Sequence, residues 1–144
     1  VGRWSGDSEV GTGPDEPPMT FTWTEATRPI GDVRILPEGD GRMPGGSPSG
    51  TLLQLGYPRR QRFVGTWIGS TMTHLWTCDG ALDASGKGLT LDAERPDMRG
   101  DGRIATYRDI YPQESDDHRT LTSRMLGEDG EWRVFMRAHL RRQA

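Results

Sequence analysis

The run RFVGTWIGSTMTHLWTCDG, residues 62–80, constrains the fold more than any other stretch of the chain. From Met72 the even positions read Met72, His74, Trp76, Cys78, Gly80, and the odd ones Thr71, Thr73, Leu75, Thr77, Asp79. Successive residues of a strand point to opposite faces, so one face is aromatic and imidazole-bearing and the other mostly threonine. The residues before it alternate as well, with Phe63, Gly65, Trp67 and Gly69 against Val64, Thr66, Ile68 and Ser70. The stretch is therefore predicted to be two strands joined at Ser70 and Thr71. Glycines between aromatics mark a bend or a close approach of backbones, as a tightly curved sheet requires.

The rest of the chain repeats the pattern. Strand-like runs occupy 1–10, 20–27 (TFTWTEAT), 33–38 (VRILPE), 51–57, 89–93, 103–111 (RIATYRDIY), 118–126 (HRTLTSRML) and 131–141 (EWRVFMRAHLR). Pro37 restricts its run to an edge, an end or a bulge. GDGRMPGGSPSG, 39–50, reads as a flexible loop at a barrel mouth, and YPRRQR, 57–62, as a turn. In the last run Trp132, Val134, Met136, Ala138 and Leu140 share a face, with Phe135 out of phase. No window carries a 3.6-residue apolar stripe. About ten strands at roughly 8–14-residue spacing indicate a sandwich or barrel. Consecutive hairpins make an antiparallel up-and-down barrel the simplest topology, and closure removes the exposed edges. Residues 1–144 form one such domain. Ten strands enclose more room than the eight that side chains nearly fill, so a cavity is expected.

Composition removes several classes of function. With 32% hydrophobic and 27% charged residues the chain is an ordinary folded domain. No apolar run approaches the roughly 20 residues of a membrane span, and a net charge of −3 argues against a nucleic-acid partner. The single cysteine, Cys78, cannot form an internal disulfide, which fits a reducing, cytoplasmic setting. No signal peptide is visible, but the chain opens at Val1 without Met, so native residues upstream are expected. Lys87 is the one lysine among 18 basic residues, a bias that suggests a high-GC bacterial genome.

VGRWSG at 1–6 and VGTWIG at 64–69 echo one another, and a Gly-x-Trp on a first strand resembles lipocalins and related calycin-type barrels. In those barrels the tryptophan plugs one end. EGDGRMPGG (38–46), GTWIGSTMTHLW (65–76) and DGEWRVFMRAHLRR (129–142) together resemble a bacterial family of uncharacterised proteins, a domain of unknown function. The resemblance implies a lipocalin-like barrel and carries over no catalytic residue.

The chemistry-bearing residues form few recognisable constellations. His74 shares its expected face with Met72 and Trp76, where it either hydrogen-bonds a ligand or is a core histidine satisfied by backbone. His139 lies among arginines and reads as solvent-exposed, although haem-binding nitrobindin-type barrels also carry a late-strand histidine. His118 reads as a surface turn residue. Three histidines and one cysteine show no metal-ligand spacing, so neither metal nor cofactor is expected. Cys78 and His74, four apart on a strand, stand roughly 13 Å from one another, too far for a thiolate–imidazole pair. No catalytic residue is assigned. The expected site is a ligand cavity lined by Trp23, Trp67, Met72, His74, Trp76 and Tyr107, with Arg124 reaching it, for a small apolar or amphipathic molecule. An enzyme in the same cavity, with His74 as acid or base and Tyr107 or Arg124 assisting, is the alternative, and a sheet face that forms a homodimer is a third reading.

Overall fold

The computed structural model describes residues 1–11, 15–43, 45–56, 62–97 and 100–144. They form ten strands: β1 (Gly2–Val10), β2 (Met19–Ile30), β3 (Arg34–Arg42), β4 (Pro48–Gly56), β5 (Phe63–Gly69), β6 (Trp76–Leu82), β7 (Gly88–Pro96), β8 (Ile104–Pro112), β9 (His118–Leu126) and β10 (Trp132–Arg142). Each pairs antiparallel with its sequence neighbours, and β1 pairs with β10 from Trp4–Arg142 to Val10–Met136, closing the barrel. The described residues contain no helix.

Alternation decides what faces inward. Residues paired directly across strands share a face, so Trp4, Gly6 and Ser8 of β1 point inward with Glu25, Trp23 and Phe21 of β2. Cys78, Ala93, Tyr107 and Met125 form one such inward row, carried across β6, β7, β8 and β9. The densest packing joins Trp4, Leu121, Ala138 and Leu140. The guanidiniums of Arg119 and Arg142 both lie over the Trp4 ring, at 4.3 and 4.4 Å.

Four sequence expectations need correction. The strand after Gly69 starts at Trp76 rather than Thr71, and 70–75 form a connection. The supposed loop at 39–50 is mostly sheet, with only 43–47 between β3 and β4. Gly39 and Gly41 serve close approach, whereas Gly45 and Gly46 in the short connection take positive φ. A Cβ on Gly39 would lie 2.4 Å from Thr51 Oγ1, and one on Gly41 2.8 Å from Trp23 Cβ. Pro37 lies within β3 opposite Thr27, and a closed barrel offers no edge for it. It is buried against the interior, and the β3–β4 pairing is interrupted at Leu36 and Pro37, where proline has no N–H to donate.

The last strand is the fourth case. The register of β10 against β9 shifts between Val134 and Met136, a bulge at Phe135. Met136 then pairs with inward Ser123, but Val134 pairs with outward Arg124. Trp132 and Val134 thus leave the face of Met136, Ala138 and Leu140, and Trp132 lies under Arg108 at 4.5 Å on the outside. Phe135, out of phase in the sequence, turns in and meets Tyr107 edge-on at 5.8 Å. The turn expected at 57–62 lies outside the described residues except for Arg62.

Candidate functional site: the barrel cavity

Part of the interior is filled and part is open. The filled part is an aromatic column. Trp67 meets Trp76 edge-on at 5.3 Å, Trp76 meets Tyr107 at 5.5 Å, and Tyr107 meets Phe135. Arg95 of β7 inserts its guanidinium between Trp76 and Tyr107, 4.1 Å from each ring. The Trp76 indole N–H donates to Met72 Sδ at 3.2 Å.

Beside the column lies a cavity of about 430 Å3. Its apolar wall includes Phe21, Trp23, Leu53, Leu55, Trp67 and Leu89. β2 to β5 supply most of that wall, because their odd-numbered residues all face in and several are glycine or threonine, too small to fill the space. Trp23 lies flat over Gly6, where a Cβ would fall 2.5 Å from the indole, and it donates from Nε1 to Ser8 Oγ at 2.8 Å.

Polar groups enter at one side. Glu25 and Arg119 form an ion pair in the cavity wall, with side chains 12% and 23% exposed. Thr27 donates to Glu25 Oε1 at 2.6 Å. Arg119 Nε is buried without a hydrogen-bond partner among the described residues. Tyr111, also in the wall, bonds Asp109, which accepts from Ser123 Oγ at 2.5 Å. Burial raises the Asp109 pKa above the usual carboxylate value, against the opposing pull of Ser123 and Arg95. Tyr111 is held well above the ordinary phenol value, by burial first and then by Asp109. Burial, with a contribution from Asp109, pushes the inward Cys78 thiol up to about 11. A thiol this high is not a thiolate nucleophile at neutral pH.

The expected residues therefore separate. Trp23 and Trp67 line the cavity. Trp76 and Tyr107 belong to the aromatic column, Tyr107 being 2% exposed, and Met72 caps Trp76. His74 sits half-buried in the 70–75 connection and is not part of the cavity wall. Arg124 pairs with Arg108, and since Tyr107 and Met125 point in, both arginines point out. His74, Tyr107 and Arg124 do not converge on one centre. The ligand cavity expected from the sequence included none of Glu25, Arg119 and Tyr111. Glu25 and Arg119 are 94 positions apart, and only closure of β1 between β2 and β10 brings them together. Alternation in TFTWTEAT puts Glu25 in the inward phase of Phe21 and Trp23, but nothing local shows its partner. No cluster of three or more His, Cys, Asp or Glu able to hold a metal occurs among the described residues.

A closed ten-stranded antiparallel barrel around a mainly apolar cavity defines the structural class. The sequence matches the family described as Protein of unknown function (DUF1579) over residues 1–142, and the chain belongs to that family. No curated protein matches it. Among solved structures it is similar to Rv2717c from M. tuberculosis, with a TM-score of 0.72 at 16% identity, covering 100% of this chain and 92% of that one. It is also similar to a redesigned beta barrel, with a TM-score of 0.52 at 11% identity, covering 99% and 90%. Both likenesses are of fold.

Proposed function

We propose that the protein binds a small apolar or amphipathic molecule in the barrel cavity. The observation that carries this reading is the 430 Å3 space itself, walled by Trp23, Trp67 and leucines and bordered on one side by Glu25, Arg119 and Tyr111. Such volume and lining are typical of small-molecule sites, with a few polar groups setting orientation. The unpartnered Arg119 Nε supports the amphipathic form, because a buried donor left unmet costs about 1–3 kcal/mol and a ligand acceptor would recover it. Binding rather than turnover is favoured because no nucleophile–base pair faces the cavity among the described residues and Cys78 is held as the thiol.

Titration with a fluorescent fatty-acid analogue tests the proposal. Trp23 and Trp67 should report saturable binding by energy transfer. Leu53→Trp, which fills the space opposite Trp67, should abolish binding while leaving the strand signature in circular dichroism unchanged. Equal binding by that variant would place the probe elsewhere and overturn the reading.

A further inference from the structure

The antiparallel pairing of β9 with β10 brings together two histidines that are 21 positions apart. His118 pairs with Arg141 and His139 with Thr120, so the two imidazoles are diagonal neighbours on one face of the sheet. That face is the outer one, because the next residue, Leu140, is buried in the interior. His118 Nε2 and His139 Nδ1 lie 3.1 Å apart. The ring planes differ by 13° and the centroids are 5.4 Å apart. That separation is the nitrogen–nitrogen distance plus about one ring radius at each end, so the rings lie end to end in nearly one plane, not face to face. One of the facing nitrogens must carry a proton, and the contact is an N–H···N hydrogen bond.

We propose that His118 and His139 form a binding site for a late divalent transition cation, Cu2+ or Zn2+, with one nitrogen from each ring and water in the remaining positions. Metal–imidazole bonds of about 2.0–2.1 Å in tetrahedral geometry set two nitrogens roughly 3.3 Å apart, close to the 3.1 Å found. The line between the nitrogens is too short to hold the ion. It must sit beside that line, and each ring must swing about its Cβ–Cγ bond. That torsion is broad and soft for histidine, and His139 is exposed and His118 half-buried. The proton between the rings moves to the far nitrogen of its own imidazole, so two neutral rings bind the ion without net proton release.

The neighbouring charges are mixed. Asp7 pairs directly with His139 across β1 and β10, is 71% exposed, and rests only 3.7 Å from Arg141. Its carboxylate, on the residue cross-strand from His139, is a candidate for a third ligand. Asp117, beside His118, is paired with Arg142 at 3.3 Å. Arg137 and Arg141 oppose the cation, and Asp7 and Asp117 offset them. Two imidazoles are fewer than the three protein ligands of a resident catalytic zinc, so the site is exchangeable, and Cu2+ should bind more tightly than Zn2+. The bound ion would tie β9 to β10 beside the β1–β10 seam that closes the barrel. The sequence hid this pair because its ligands have no local spacing.

The full chain is titrated with Cu2+ alone at pH 7.5, followed by calorimetry and electron paramagnetic resonance. One equivalent should bind with nitrogen hyperfine coupling, and Zn2+ should displace it only in large excess. His118→Gln and His139→Gln should each weaken binding at least about tenfold, since either leaves a monodentate site without the chelate advantage. Circular dichroism checks that both variants keep the barrel, as expected for side chains on the outer face. Asp7→Asn should weaken binding less than either. Absence of binding, binding unchanged in both histidine variants, or a spectrum without nitrogen coupling would each overturn the proposal. The cavity does not enter this test, so its outcome is independent of the binding function proposed above.

Discussion

Asp109 is a carboxyl held away from its ordinary behaviour in water by burial. It faces the interior, held by Ser123 and Tyr111, and its pKa is raised chiefly by burial. A carboxyl whose folded pKa exceeds the unfolded one contributes fully to stability below the unfolded value. That contribution is lost as pH rises through the folded value. Asp109→Asn keeps the hydrogen-bonding shape and removes the titration. The variant should gain on wild type in melting temperature as pH is raised from about 4 to 8, and a gap that narrows instead would contradict the assignment. Glu25 acts instead as an ion-pair partner. Glu25→Gln leaves the Arg119 guanidinium in the wall without its countercharge, and urea unfolding should show a loss of about 3 kcal/mol, as for a broken buried pair. A loss below about 0.5 kcal/mol would mean that the pair behaves as a surface one.

At the scale of the strands, glycine positions set how closely neighbours approach. A Cβ on Gly80 would fall 1.7 Å from the Thr90 carbonyl oxygen, so β6 and β7 could not keep their register around Gly80–Leu91. Gly80→Ala should cost at least about 3 kcal/mol, the severe end of overpacking. Gly50→Ala meets only ordinary contacts, the nearest at 3.8 Å, and should cost under about 1 kcal/mol. Chemical denaturation of the two variants compares them directly, and equal losses would refute the close-approach argument. The existence of nearly every strand was legible in the sequence, because period-two alternation survives wherever one face is buried. Boundaries were not. The even-phase pattern of Met72 and His74 continues into β6 without being part of it, since Met72 follows Trp76 by capping its indole and not by pairing across the sheet. The switch of face at Phe135 was visible only as an exception. Its cause is an extra residue accommodated against β9, with the Phe135 carbonyl accepting from Gly11 N at 2.8 Å.

For the whole molecule, closure makes the difference between a list of strands and a site. Trp23 and Trp67 were readable as inward aromatics. Nothing local told which inward residues would pack into the column of Trp67, Trp76, Tyr107 and Phe135 and which would border open space. That partition depends on which strands face each other across the barrel, and so does the meeting of Glu25 with Arg119. Arg124 fell on the outer face because its phase is fixed by the pairing of Tyr107 with Met125. The column fills one part of the interior and the small residues of β3 and β4 leave the other part open, which makes a cavity out of a sequence with no binding motif. A crystal structure of the protein with the fluorescent fatty-acid analogue tests this account most directly. The account predicts density for the probe inside the barrel against Trp23 and Trp67, with its polar end toward Arg119. A probe bound only on the outer surface, or an interior without density at a saturating concentration, would contradict it.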